Sequence, residues 1–145
     1  MKNENSREMR FEAVVADIGR ATEFVDQYLE EQDCPMKAQM QIDIAIDELF
    51  GNIVHYAYPQ GSGPVWVRVG IEPDSECAGR VIVLTFRDCG IPYDPLSRKD
   101  PDTTLSLEER EPGGLGIYMV KKSMDALSYE YKDGQNVLAV SKIIT

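Results

Sequence analysis

The chain has 145 residues, 43% hydrophobic and 28% charged, with 25 acidic and 15 basic side chains and a formal net charge of -10. This length suits one domain with a real core, burying roughly 70% of the surface its unfolded chain exposes, and the composition is too apolar for a disordered tail. The acidity argues against bare nucleic acid as a partner, because a polyanion is repelled unless the basic residues gather on one face, and no such cluster stands out.

Residues 10–15 read as a short strand and 17–32 as a helix, with Ile18, Ala21, Val25 and Leu29 in a helical stripe and Asp17 placed as a cap. Pro35 opens a second helix that runs to about Tyr58. In 64–71, Val65, Val67, Val69 and Ile71 alternate with Trp66, Arg68 and Gly70, the period of a strand with one buried face. Residues 80–88 form a nearly continuous apolar, β-branched run, as in a central strand. Residues 94–112 are polar and hold Pro95, Pro101 and Pro112, which reads as a mobile loop. Gly113, Gly114, Leu115 and Gly116 lead into a helix carrying Ile117, Val120 and Met124, and two strands, 127–132 and 137–144, flank an Asp133-Gly134 hairpin signal. The expected fold class is α+β: a two-layer sandwich whose mixed, mainly antiparallel sheet is covered on one face by about three helices, as a single domain over 1–145. Helices do not separate successive strands as a Rossmann fold requires.

Cys34, Cys77 and Cys89, with one histidine in the chain, give neither zinc spacing nor a disulfide framework. Residues 1–10 lack a signal-peptide apolar stretch, and no run approaches the ~18 apolar residues of a membrane span, so a cytoplasmic protein with no membrane attachment is expected.

On the second helix Ile42, Ile46, Leu49 and Ile53 form one apolar stripe, and Glu48, Asn52 and His55 lie on another. A carboxamide oxygen can ligate Mg²⁺ while a carboxylate one turn away deprotonates a hydroxyl. The same spacing also describes a solvated helix edge, and His55 alone also reads as a helix-face or capping histidine. Asp88 ends the central strand and can accept a hydrogen bond from adenine's exocyclic amine, with Gly90 letting a ligand approach the backbone; a plain Asp-x-Gly turn is the alternative. Gly113, Gly114 and Gly116 stand at a helix amino terminus, where free N–H groups favour phosphate oxygens, or they serve a tight connection. They match neither GxGxxG nor a P-loop.

In this order the pieces resemble the Bergerat-type ATP-binding domain of the GHKL group. They are most similar to its stand-alone branch, the anti-sigma-factor serine/threonine kinases. Glu48-Leu-Phe-Gly-Asn52 with His55-Tyr-Ala-Tyr-Pro59 looks like the N box, Asp88-Cys-Gly-Ile-Pro-Tyr-Asp-Pro95 like the first glycine box, and Arg110-Glu-Pro-Gly-Gly-Leu-Gly116 like the second. The resemblance implies ATP and Mg²⁺ as cofactors, with Glu48 as catalytic base, Asn52 as the metal ligand, Asp88 on adenine, and Arg110 reaching the γ-phosphate. It also implies nucleotide contacts from His55, Gly90, Pro92, Gly113, Gly114, Leu115 and Gly116, and a flexible ATP lid over about 94–112. Members often carry threonine after the glycine of the last hairpin. This chain has Gln135-Asn136, so either Asn136 takes that place or adenine affinity is altered.

The implied activity is transfer of the γ-phosphate to a serine of a STAS-type anti-anti-sigma protein, with sequestration of a sigma factor and homodimer assembly. The alternative is a non-catalytic switch of the same fold, in which ATP changes partner affinity without transfer. A sensor histidine kinase fragment is disfavoured, because His55 lies inside the N box and no separate helix pair with a phospho-accepting histidine is present.

Overall fold

The two hydrophobic periods become strands and helices in the order β1 (Ser6–Glu12), α1 (Val15–Glu31), α2 (Met36–Tyr56), β2 (Pro64–Pro73), β3 (Arg80–Asp88), α3 (Leu115–Ser123), β4 (Ala126–Lys132) and β5 (Gln135–Ile144). This is a computed structural model, and it describes residues 6–73, 79–97 and 115–144. The sheet order is β1-β2-β3-β5-β4 with every pairing antiparallel.

Strict alternation makes β2 a wall of the core. Val65, Val67, Val69 and Ile71 face inward, and the register continues them across the sheet: Val67 opposite Phe86, Val69 opposite Leu84, then Leu138 and Val140 opposite Phe86 and Leu84. Trp66 and Arg87 take the outer face, with the Arg87 guanidinium 4.8 Å from the indole centre. Against the inner face lie Val25 and Leu29 of α1, Ile42, Ile46 and Leu49 of α2, and Val120 of α3, all fully buried. Each such side chain contributes about 1.5–3 kcal/mol of transfer free energy. The sheet of the α+β expectation is thus present, with its helices on one side.

The first strand lies at Ser6–Glu12, earlier than the expected 10–15, because it is an edge strand in which Phe11 is the one fully buried residue and the apolar signal is faint. Phe11 meets Phe24 of α1 and Phe50 of α2 edge to face, with ring centres 6.0 and 6.2 Å away. Asp17 is not the cap of α1. Val14 holds that position without a side-chain hydrogen bond, and Asp17, in the first turn, accepts the Glu12 N–H at 2.8 Å and pairs with Arg20 at 3.0 Å. At the other end Asp133 and Gly134, with φ of 54° and 77°, make the two-residue hairpin that the sequence signals. Strand β5 begins at Gln135, so Asn136 belongs to the sheet and not to the turn.

Between α1 and α2 the carboxyl groups of Asp26 and Asp43 meet, and Oδ1 of each is buried with no hydrogen-bond partner among the described residues. Burial, then the hydrogen bond and charge of Asp26, then Glu30, push Asp43 from its ordinary 3.8 up to about 8. Adjacent carboxylates do not both ionise cheaply, so the pair retains a proton. The folded chain keeps a proton that the unfolded chain releases. The associated stability is complete below pH 3.8 and is lost as pH rises through about 8. Asp43→Asn removes that titration. We expect its thermal midpoint to exceed that of the wild type at pH 8 by about 2–4 °C, equivalent to ~1 kcal/mol once the pair's partial exposure is discounted, with a smaller gain at pH 5. The same gain at both pH values in calorimetry would contradict the shared proton.

Candidate functional site

The α2 stripe that buries Ile42, Ile46, Leu49 and Ile53 against the sheet fixes where its neighbouring stripe points. Glu48 and Asn52 stack there one turn apart. Asn52 Nδ2 donates to the Glu48 carbonyl at 3.0 Å and to Glu48 Oε2 at 3.3 Å, and Asn52 Oδ1 accepts no hydrogen bond from the described residues. The free oxygen of that amide is a hard ligand of the type Mg²⁺ takes. In the first turn of α3, a Cβ built on Gly116 would stand 1.7 Å from Glu48 Oε1. The glycine is therefore what allows the Glu48 carboxylate to lie against the amino-terminal turn of α3.

Asp88 closes β3 and is 4% exposed. Its position is set by several ties between α2 and the sheet. Tyr58, just past α2, donates its hydroxyl proton to the Pro64 carbonyl at 2.7 Å and accepts the Cys89 N–H at 2.7 Å, and burial pushes its phenol up to about 12. Ile91 N–H donates to the Ala57 carbonyl at 2.9 Å. Burial raises the Asp88 carboxyl above its ordinary value, and hydrogen bonds from Asn136 and Gly90 partly offset this.

Asp88 and Asn52 line the same cavity, on an apolar bed of Leu49, Ile53, Phe86 and Leu138. Asn136 and Tyr129 contribute from β5 and β4, and Tyr93 and Pro95 from the segment after β3. The room left is about 20 Å³, enough for one water molecule. A larger ligand enters by displacing lining groups. The bed belongs to packed helix and sheet, whereas Tyr93 and Pro95 lie on the segment that follows β3. Tyr93 is held by a stack on Tyr56, ring centres 5.0 Å apart, and by hydrogen bonds from its N–H to Tyr129 Oη and Asn136 Oδ1 at 3.2 and 3.1 Å.

The remaining expected residues are distributed unevenly. A Cβ on Gly90 would lie 2.2 Å from the Ala57 carbonyl oxygen, so the missing side chain admits the backbone of the α2 exit. His55 is exposed in the last turn of α2, edge-on to Tyr56 at 6.2 Å and away from the cavity lining. Pro92 lines a separate open groove of about 470 Å³ with Ile91 and Tyr131. Leu115 opens α3, while Arg110, Gly113, Gly114 and Cys77 lie outside the described residues, as does most of the expected lid. Sequence reasoning did not single out Tyr93 or Tyr129 as site residues. The hairpin register gives the signal for Tyr129, since it places Tyr129 and Tyr131 on the face of Leu138 and Asn136.

The sequence pattern of the histidine kinase-like ATPase domain family matches residues 11–142. The chain belongs to that family. It is 30% identical over 105 residues to serine/threonine-protein kinase BtrW of Bordetella bronchiseptica, covering 72% of this chain and 70% of that protein. It is 28% identical over 104 residues to serine-protein kinase RsbW of Bacillus cereus, covering 69% of this chain and 61% of the relative. A Bacillus thuringiensis relative of the same name is 29% identical, and the match again spans 61% of its length. A histidine kinase-like ATPase domain implies ATP as ligand. Among the described residues no helix is long and apolar enough to cross a membrane, and no three His, Cys, Asp or Glu side chains form a metal cluster. Mg²⁺ suits this site as an ion held by one amide oxygen together with phosphate oxygens and water, a mode that needs no protein cage.

The two close-packed glycines predict opposite outcomes. Gly90→Ala drives a methyl group into backbone, and we expect it to lose about 1–3 kcal/mol of stability. Gly116→Ala meets the flexible end of Glu48 and replaces glycine within a helix, so its melting temperature should match or exceed the wild type. Equal destabilisation of both variants in thermal melts would refute this placement of Glu48.

Proposed function

We propose that this chain is an ATP-dependent protein serine/threonine kinase that phosphorylates a small acceptor protein. The observation that supports it most is the sharing of one cavity by Asp88 and Asn52, with Glu48 hydrogen-bonded to Asn52 on the same helix. In this reading Asp88 accepts a hydrogen bond from the 6-amino group of adenine, and the apolar bed of Leu49, Ile53, Phe86 and Leu138 takes the faces of the base. Asn52 Oδ1 would hold Mg²⁺, which when bound would offset phosphate charge in a protein of net charge -10.

Glu48 is the general base. Its carboxylate removes the hydroxyl proton of the acceptor serine as the serine oxygen bonds to the γ-phosphorus and the bond to the ADP oxygen breaks. Gly116 keeps the first turn of α3 open to that carboxylate. The resemblance of the three boxes extends the proposal to a STAS-type anti-anti-sigma protein as acceptor, a sigma factor as sequestered partner, a homodimer as assembly and the cytoplasm as location.

Glu48→Gln keeps the size and the hydrogen bond to Asn52 but removes the base. With a STAS-type acceptor and radiolabelled Mg²⁺-ATP, we expect ATP affinity within about twofold of the wild type and transfer lower by about 10²–10⁴-fold. Transfer at the wild-type rate would remove Glu48 from this role. Wild-type protein that binds ATP and phosphorylates no acceptor would favour the nucleotide-dependent binding switch.

A further inference from the structure

Asn136 stands directly opposite Asp88 in the β3–β5 ladder and is 5% exposed. Its amide is fully used within the protein. Nδ2 donates to Asp88 Oδ1 at 2.9 Å and to the Ile91 carbonyl at 2.8 Å, while Oδ1 accepts the Tyr93 N–H at 3.1 Å and the Tyr129 hydroxyl. The chemistry of the partners fixes which way round the amide lies. A carbonyl can only accept and a backbone N–H can only donate, so turning the amide over would set like against like on both sides. Two donor hydrogens and two acceptor lone pairs are all that such an amide offers, so Asn136 has nothing left for a ligand. Whatever it does for a nucleotide, it does through its neighbours.

The neighbour that matters is Asp88. Gly90 N–H also donates to Asp88 Oδ1, at 2.9 Å. Among the described residues both hydrogen bonds to this carboxylate therefore fall on one oxygen, and Oδ2 is the oxygen left for the cavity that Asp88 lines. Two donors on Oδ1 fix the rotation of the carboxylate. Through Ile91 and Tyr93 the same amide also anchors the segment that brings Tyr93 and Pro95 to the cavity.

We propose that Asn136 is a positioning residue for nucleobase selection, clamping one oxygen of Asp88 so that the other is presented to the amino group of a 6-aminopurine. The proposal rests on the reading of the cavity as an adenine site. Loss of the clamp has two effects in the same direction. The carboxylate becomes free to turn, and one of the two hydrogen bonds that oppose the upward push of burial on its proton affinity disappears. A carboxyl group that takes up a proton becomes a donor, which suits the carbonyl of a 6-oxopurine.

The test compares Mg²⁺-ATP with Mg²⁺-ITP, which carries a 6-oxo group on the purine, by titration calorimetry on the full chain. Wild-type protein should prefer ATP by about 100-fold, as expected of a buried acceptor facing an amine. Asn136→Leu, similar in size and without hydrogen bonds, should reduce that preference by about tenfold or more. Tyr129→Phe removes one donor to the Asn136 oxygen and should reduce it by about two- to fivefold; this milder variant carries the test if Asn136→Leu does not fold. A role confined to stability or packing would weaken both nucleotides in proportion and leave the ratio unchanged, and that result overturns the proposal. Wild-type protein that binds neither nucleotide, or binds both equally, overturns the adenine reading itself.

Discussion

A carboxylate carried out of water must be satisfied where it is buried, and the end of β3 is arranged around that requirement. Asp88 would be a costly group at 4% exposure if it stood alone. A backbone N–H two residues on and the side chain facing it across the ladder both serve one of its oxygens. The second oxygen carries the proposed chemistry of the site, because an acceptor in an apolar cavity discriminates far more strongly between an amine and a carbonyl than the same group in water.

The rest of the arrangement follows from two close approaches. Gly90 lets the exit of β3 pass against the Ala57 carbonyl, and Ile91 then donates a hydrogen bond to that same oxygen, so the end of α2 and the end of β3 are locked together. Gly116 lets α3 come down on Glu48. Segments far apart in the chain thereby bring the Asp88 carboxyl and the Asn52 amide to one cavity, with the Glu48 carboxylate hydrogen-bonded to that amide. The histidine kinase-like ATPase family match, over 11–142, spans all of these segments.

Much of this was legible from residue order. The alternation in β2 and the apolar run of β3 matched their spans within two residues, and the sheet-facing stripe of Ile42, Ile46, Leu49 and Ile53 put Glu48 and Asn52 together on a second stripe of the same helix. What stayed hidden depended on contacts between distant segments. Periodicity does not reveal that Gly90 faces a carbonyl from α2, or that Asp17 reaches back to Glu12 instead of capping its own helix. Sequence reasoning began the last strand at residue 137 and left Asn136 just outside it, whereas the Asp133-Gly134 hairpin starts the strand at Gln135 and register then sets Asn136 opposite Asp88. His55 shared a helical stripe with Asn52, yet one further turn carries it past the cavity to the exposed end of α2.

The most direct measurement is a crystal structure of the chain with Mg²⁺ and a non-hydrolysable ATP analogue. It should show the 6-amino nitrogen of adenine within ~3 Å of Asp88 Oδ2, Asn136 still donating to Oδ1, and Tyr93 moved from its stack on Tyr56. An adenine ring bound elsewhere, or one whose amino group meets no carboxylate, would contradict the account.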